Sequence, residues 1–261
     1  IYEAVAETSD EMFEKYFSGE PFTPEEVIVG VSKGVKSGAI TPVFCGDALL
    51  MRGMEQFMDG LTWLAPSAAE KAGEVGADVD GEPVEISVNP DGATAAIVFK
   101  TIADPFVGKV SYLKVISGKV AQDSQLVNMR TGNTDRIGKV VLMRGKKQED
   151  MGAICAGDIG AVLKLSGANT GDTLCAPTRK VTLDGVEYPN PTLSMAFLPK
   201  NKGEEDKVAQ GIFRLVEEDP TIRFSNNAET HQMIVSGLGE QHLDVVVSKL
   251  KSKFGVDVVL Q

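Results

Sequence analysis

The feature that most constrains the fold is a change in the spacing of apolar residues along the chain. Between residues 94 and 174, apolar residues occur in short runs separated by glycine, asparagine and aspartate. The runs are Ala95–Ile102, Lys109–Ile116, Gln125–Met129, Ile137–Met143 and Ile159–Leu165. Short runs at this spacing are typical of a small β-sandwich or barrel. We therefore expect an all-β domain in the middle of the chain.

The last 71 residues, 191–261, follow a different pattern in which strand-like and helix-like segments alternate. Leu193, Met195 and Phe197 alternate as in a strand, and two segments with helical spacing follow. The helical positions are Val208, Ile212, Leu215 and Val216 in the first, and Leu243, Val246, Val247, Leu250 and Phe254 in the second. The resulting order, strand–helix–strand–strand–helix–strand, predicts a ferredoxin-like α+β domain over residues 191–261.

Residues 1–67 are predicted to form helices around one strand. Thr23–Glu26 has the pattern of a capping box with proline at the first helical position. The apolar run 41–45 precedes Gly46 and predicts a strand that ends in a tight turn, and residues 54–64 carry an amphipathic helical stripe. A strand, a turn and a helix are typical of the last unit of an α/β sheet. The acidic segment 68–90, punctuated by glycine and proline, predicts a linker or exposed connection.

Charge is distributed unevenly along the chain, whose formal net charge is −11. Residues 1–90 hold 5 basic and 17 acidic side chains, whereas residues 91–187 hold 13 and 10. An acidic total normally argues against a nucleic-acid partner, but here the acid is concentrated in the first third. Six basic residues lie close together in the mildly basic β region: Arg130, Arg136, Lys139, Arg144, Lys146 and Lys147. They predict a surface for the phosphate backbone of RNA. The alternative is a solvated hairpin tip.

Composition excludes several other classes of protein. A hydrophobic fraction of 43% is too high for a disordered chain, and no apolar run approaches the ~20 residues that span a bilayer. The three cysteines have no C-x-x-C pairing, which argues against a disulfide scaffold or a zinc site and favours a reducing, cytosolic setting. The chain begins with Ile1 and no signal-peptide pattern. We therefore expect it to be part of a longer protein.

Motifs for catalysis are missing from the sequence. None of the four Gly-Lys pairs has the G-x-x-x-x-G-K-[ST] context of a phosphate loop. Residues 201–204 (NKGE) and 236–242 (SGLGEQH) only partly match guanine-reading and dinucleotide-binding motifs, and turns explain their glycines. The two histidines, His231 and His242, have no acidic residue or cysteine at metal-ligand spacing. We predict no catalytic residue and no metal site.

Several longer stretches resemble bacterial elongation factor G, in the same order and at similar spacing. Residues 2–19 are similar to the stretch before the last strand of its GTP-binding domain, and residues 41–53 (TPVFCGDALLMRG) to its last guanine-contacting loop. Residues 99–118 and 150–174 resemble the opening and the close of its β-barrel domain. Residues 236–258 resemble the signature of its ferredoxin-like domain. The resemblance extends over nearly the whole chain.

The resemblance implies a multi-domain fold. Residues 1–67 would be the C-terminal piece of an α/β P-loop GTPase domain. Residues 68–190 would be an all-β barrel of the domain II type found in translation factors. Residues 191–261 would be the α+β ferredoxin-like domain III. Within the first of these, Gly46, Asp47 and Ala48 would form one wall of the guanine pocket.

The resemblance also implies a function for the longer protein. It would be a cytoplasmic, monomeric GTPase that uses GTP and Mg²⁺ to drive translocation of tRNA and mRNA on the ribosome. Its partners would be ribosomal RNA and small-subunit proteins, with no membrane. The phosphate loop would lie upstream of Ile1, so the 261 residues are expected to bind no cofactor and to hydrolyse no GTP alone. They would contribute ribosome docking and a relay between domains.

Two departures from the family pattern leave an alternative open. Asp47 stands where the family usually has serine, and Gln241 where it usually has leucine. A ribosome-associated paralogue of the tetracycline-resistance ribosomal protection type, which binds without translocating, is the alternative. The length and helical content of residues 1–37 favour the elongation-factor branch.

Overall fold

The structure is a computed structural model that describes residues 1–70, 73–104, 106–145, 147–227, 229–230 and 232–261. The chain divides into two compact units, residues 1–71 and 72–261. None of the described helices is long and apolar enough to cross a bilayer.

The first unit is helical. Its helices are α1 Tyr2–Ala6, α2 Asp10–Phe17, α3 Pro24–Ser37 and α4 Met54–Leu64, followed by a 3₁₀ turn at Ala68–Glu70. The predicted capping box at α3 is confirmed, because Thr23 Oγ1 accepts the Glu26 N–H and Glu26 Oε2 accepts the Thr23 N–H. A side chain in place of Gly30 would collide with Val5, so α1 approaches α3 closely at this glycine.

The predicted strand at residues 41–45 is wrong. All five residues are described, and none is in a strand; the nearest pairing is an isolated bridge between Asp47 and Arg52. A strand exists only where a neighbour accepts its backbone hydrogen bonds, and the described part of this unit contains no sheet. The α4 helix is confirmed, but its apolar stripe is largely exposed: Met58 is 60% and Leu61 42% accessible.

The second unit begins with thirteen described strands. They are β1 Glu74–Ala77, β2 Pro83–Ile86, β3 Ala95–Asp104, β4 Gly108–Ser117, β5 Lys119–Ala121, β6 Gln125–Asn128, β7 Thr134–Arg136, β8 Val140–Arg144, β9 Lys147–Asp150, β10 Ala153–Cys155, β11 Ile159–Leu163, β12 Thr173–Cys175 and β13 Thr182–Leu183. All their pairings are antiparallel. We call this part, residues 74–183, the β domain.

Eight strands of the β domain form one sheet in the order β7-β6-β12-β3-β4-β11-β8-β9, and β5 pairs with β10. Their inward-facing side chains share one buried core, which includes Val98, Leu113, Ile137, Ile154 and Leu174. The five predicted runs correspond to β3, β4, β6, β8 and β11, so the expected all-β domain is confirmed. The shorter strands between them carry too few apolar residues to show alternation.

The prediction of a linker or exposed connection at residues 68–90 is wrong where β1 and β2 form. β1 and β2 pair with each other, and β1 also pairs with β13, where Gly76 faces Leu183 and Ala77 faces Thr182. Ile86 is buried against Val181 and Leu183. Gly76 and Pro83 therefore lie in a three-stranded sheet. Its third strand, β13, is far away in the sequence.

The ferredoxin-like prediction for the C-terminal part is confirmed. Its elements are β14 Leu193–Pro199, α5 Glu205–Glu218, β15 Arg223–Asn226, β16 Met233–Gly237, α6 Glu240–Phe254 and β17 Val258–Leu260. The antiparallel sheet has the order β15-β16-β14-β17. The predicted helical faces are the buried ones: Val208, Ile212 and Leu215 of α5 pack with Leu243, Val246 and Leu250 of α6. We call residues 193–260 the ferredoxin-like domain.

Candidate functional site

The predicted RNA-contact residues are largely occupied by acidic neighbours. Three of them form ion pairs on the surface: Arg136 with Asp123 at 2.8 Å, Lys139 with Asp150 at 2.7 Å, and Arg144 with Glu149 at 3.2 Å. Lys147 lies directly opposite Arg144 in the pairing of β8 with β9, and Lys146 lies outside the described residues. The positive charge on this surface is therefore diluted, although each side chain is exposed enough to exchange its partner.

Arg130 is held differently from the others. Its Nε and Nη2 atoms donate to the two carboxylate oxygens of Asp172 at 2.6 and 2.9 Å, and Nη2 also donates to the Gly167 carbonyl at 3.3 Å. A bidentate pair of this kind is strong and directional. It fixes the loop after β6 to the loop before β12, so Arg130 has a structural role whatever else it contacts.

Asp172 is the centre of this tie. Only 4% of the residue is exposed, and its carboxylate also accepts from Asn128 Nδ2 at 2.9 Å and from the Asn169 N–H at 2.8 Å. Burial raises the pKa of this carboxyl, but the hydrogen bonds from Arg130, Asn169 and Asn128 outweigh burial and lower the pKa overall. The carboxylate therefore stays ionised although it is buried.

The predicted guanine loop forms a tight hairpin. The N–H and carbonyl of Asp47 both bond to Arg52, at 3.0 and 3.1 Å. The Asp47 carboxylate accepts the N–H groups of Leu49 and Leu50 at 2.9 and 3.1 Å. The Asp47 amide, in the predicted wall of the guanine pocket, is thus engaged within the loop. The Ala48 N–H has no partner among the described residues.

A charged junction that the sequence analysis missed lies between the β domain and the ferredoxin-like domain. Glu218, the last residue of α5, accepts the Ala103 N–H of β3 at 3.3 Å through Oε2. Lys253 Nζ of α6 donates to the same oxygen at 2.7 Å, and Lys249 Nζ donates to Oε1 at 3.0 Å. Burial raises the pKa of Glu218, but the hydrogen bonds from Lys253 and Lys249 outweigh burial and lower the pKa overall. No local sequence signal indicates this convergence.

One more ion pair crosses the junction. Lys109 Nζ donates to Glu217 Oε1 at 3.1 Å, and also to Asn169 Oδ1 within the β domain at 3.2 Å.

The predicted lone histidine His242 makes its contacts within the ferredoxin-like domain. His242 Nδ1 accepts the Leu238 N–H at 3.0 Å, so its Nε2 carries the proton and faces Asp219 Oδ2 at 3.1 Å. His242 is thus a hydrogen-bonding residue, as a lone histidine usually is. His231 lies outside the described residues, and no described group of three or more His, Cys, Asp or Glu residues could hold a metal ion.

Comparisons with known proteins agree with this architecture. Residues 93–177 match the family model described as Elongation factor G domain 2, and residues 188–261 match the model described as Elongation Factor G, domain III. The two matches are consecutive and together cover more than half of the chain. The chain belongs to the elongation factor G family. The predicted family is therefore confirmed, and the β domain and the ferredoxin-like domain are elongation factor G domains II and III.

A solved structure extends the likeness beyond these two domains. The crystal structure of a protein from Thermus thermophilus is 26% identical in sequence, with a TM-score of 0.79. The match covers 99% of this elongation factor G chain and 36% of the Thermus chain. The chain thus spans about a third of the length of that protein. Assignment of residues 1–67 to a GTPase domain stays a prediction.

Proposed function

We propose that this chain supplies domains II and III of a GTP-hydrolysing factor that promotes movement of tRNA and mRNA through the ribosome. The observation that carries the proposal is the consecutive match to two domain models that are described as those of elongation factor G. A β-barrel or a ferredoxin-like domain alone serves many unrelated functions. Both in this order, with this family's sequence patterns, support a translation factor far more specifically.

The proposal gives the hairpin at residues 46–53 a role in nucleotide recognition. Gly46, Asp47 and Ala48 would line the guanine base, and the N–H groups of Gly46 and Ala48 have no partner among the described residues. The Asp47 carboxylate is satisfied by Leu49 and Leu50, so it holds the hairpin closed. GTP and Mg²⁺ would supply the phosphoryl chemistry. Hydrolysis requires a phosphate loop, and these 261 residues contain none.

The proposal gives the exposed basic residues of the β domain a role in docking. Arg136, Lys139, Arg144, Lys146 and Lys147 would contact ribosomal RNA by exchanging their acidic neighbours for phosphate groups. Surface pairs of this kind contribute only about 0–1 kcal/mol, so the exchange costs little. A monomeric, cytoplasmic protein that acts on the small ribosomal subunit is consistent with this role.

The experiment that tests the proposal is a translocation assay on the full-length protein. Pre-translocation ribosomes carrying a fluorescent mRNA are mixed with the protein and GTP, and the mRNA step is followed by stopped flow. We expect a GTP-dependent step that a non-hydrolysable analogue slows. Ribosome binding and tetracycline displacement without an mRNA step would overturn the proposal in favour of the protection-type paralogue that Asp47 and Gln241 suggest.

A further inference from the structure

The junction between the β domain and the ferredoxin-like domain converges on one carboxylate. Only 14% of the Glu218 side chain is exposed, and it touches two other elements at once: β3 through the Ala103 N–H, and α6 through Lys249 and Lys253 on successive turns. Because Glu218 is itself the last residue of α5, three elements meet at this side chain. Two of the contacts join helices within one domain, and the Ala103 contact joins two domains.

An ionised carboxylate at the C-terminal end of α5 would be unfavourable if the helix were isolated. A negative charge at a helix C-terminus opposes the helix dipole, and burial of an ionised carboxyl is unfavourable unless cations compensate. Glu217 and Asp219 add further negative charge on either side. Lys249 and Lys253 provide the compensation. A carboxylate kept here needs α6 and β3 in place at the same time.

We propose that Glu218 is a latch that holds the ferredoxin-like domain against the β domain, and that loss of its bond to Ala103 releases the two domains to move relative to each other. The latch is closed when the carboxylate is shared between Ala103 and the two lysines. When α6 moves its lysines away, the carboxylate loses its compensation and turns to water. A shift of α6 is thereby transmitted to the β domain as release of β3.

The neighbouring contact between Lys109 and Glu217 holds the two domains together less firmly than Glu218 does. The Lys109 side chain is 10% exposed but that of Glu217 is 43% exposed, and the lysine is shared with Asn169 of the β domain. Solvent competes at the glutamate end of this pair, which weakens its hold on the domain orientation. The two adjacent glutamates therefore provide a comparison between a buried carboxylate and a half-exposed one.

Pulsed electron paramagnetic resonance on the whole 261-residue chain tests the latch. One spin label is placed on the exposed native Cys155 of the β domain and the other on Ser252→Cys, an exposed position of α6; exposed Cys45 is changed to serine, and Cys175 is buried. We expect one narrow distance peak for the parent chain. Glu218→Ala is expected to lose this peak to a broad distribution, and Glu218→Gln to broaden it less.

Two control variants make the outcome decisive. Asp257→Asn removes the pair with Lys251 inside the ferredoxin-like domain and should leave the peak narrow. Lys109→Gln removes the pair with the half-exposed Glu217 and should also leave the peak narrow. An unchanged peak in both Glu218 variants would overturn the proposal, and so would equal broadening by Lys109→Gln, since the orientation would then depend on diffuse contacts.

Hydrogen exchange at the Ala103 amide provides a second measurement that does not depend on labels. We expect roughly tenfold faster exchange at this amide in Glu218→Ala, because one hydrogen bond is lost, with unchanged exchange in the cores of both domains. If Glu218→Ala fails to fold, as its circular dichroism would show, the same comparison is made with Glu218→Gln. Unchanged Ala103 exchange in a folded variant would contradict the latch.

Discussion

At the scale of single residues, Asp172 shows how one buried carboxylate organises several loops. It binds Arg130 through both oxygens and also takes the Asn128 amide and the Asn169 N–H. All these donors lie at the edge where β6 and β12 pair. The order of this edge thus depends on one ionised side chain.

We expect Asp172→Asn to destabilise the second unit by about 2 kcal/mol, because hydrogen bonds to a charged group are lost in a buried position. Urea unfolding followed by far-ultraviolet circular dichroism measures the change. Asp123→Asn is the matched control, since its pair with Arg136 is exposed on both sides and should be worth at most about 0.5 kcal/mol. Equal effects of the two substitutions would contradict the role given to Asp172.

The same site has a defined pH dependence. Because the folded state lowers the pKa of Asp172 below its usual 3.8, its ionised form stabilises the fold above that pH and the stabilisation is lost as pH falls further. The difference between the parent chain and Asp172→Asn should therefore shrink in urea titrations below about pH 3.8. A difference that grows on acidification would contradict the sign of the shift.

At the scale of elements, the turn from β4 to β5 depends on Gly118. Its φ is +68°, and a Cβ atom here would lie 2.7 Å from the Gly92 carbonyl oxygen and the Thr94 Cα, both backbone atoms that cannot swing away. We expect Gly118→Ala to cost about 3 kcal/mol, from left-handed strain plus overlap. Gly132 has a similar φ of +72° and open space, so Gly132→Ala should cost only about 1 kcal/mol. Urea midpoints that coincide would show that space does not matter at this turn.

The basic residues between β7 and the end of β8 carry the docking hypothesis. Charge reversal at Arg136, Lys139 and Arg144 in the full-length protein should weaken ribosome binding and lower the salt slope of log K by about 3, one per lost phosphate contact. Neutralising their partners, Asp123, Asp150 and Glu149, is the matched set and should strengthen binding. A salt series of binding titrations measures both. Unchanged affinity in both sets would support a merely solvated surface.

How well the sequence predicts an element depends on how far along the chain its stabilising partner lies. α3, α5 and α6 are readable because caps and helical spacing are local, and Thr23 with Glu26 needs no distant contact. β1 escapes prediction because its partner Leu183 is far along the chain, and Arg130 looks like an RNA ligand because Asp172 is 42 residues away. The Glu218 junction depends on contacts over 31 to 115 residues and leaves no local pattern.

At the scale of the whole molecule, the two units differ in how much apolar surface they bury. Among the described residues of the first unit, the buried hydrophobic side chains are Val5 and Ala6, whereas the second unit contains several buried clusters. We expect the first unit to unfold at lower urea concentration, since stability follows buried apolar area.

The single tryptophan, Trp63, lies on α4 of the first unit and reports on that unit alone. Its fluorescence midpoint in urea should come before the midpoint of the circular dichroism signal, which the strands of the second unit dominate. Trp63→Phe should abolish the early transition in fluorescence without moving the later one. Coincident midpoints in the parent chain would show that the units unfold together.

A further expectation for the whole chain is that it does not hydrolyse GTP. It lacks a phosphate loop, so no backbone cradle or magnesium ligand of that kind is available. Phosphate release should stay at background with the 261-residue chain, both alone and with ribosomes. The full-length protein serves as the positive control. Turnover by the chain that ribosomes stimulate would contradict this expectation.

The pairing of β1 with β13 also decides how the β domain responds to mechanical force. The two strands are antiparallel and meet at Gly76–Leu183 and Ala77–Thr182, so the chain enters and leaves the domain at the same end of the pair. Tension applied through the preceding and following segments would peel these bonds apart one at a time, as a zipper opens, instead of shearing them together. Tension would reach the eight-stranded sheet only after β1 and β13 have separated.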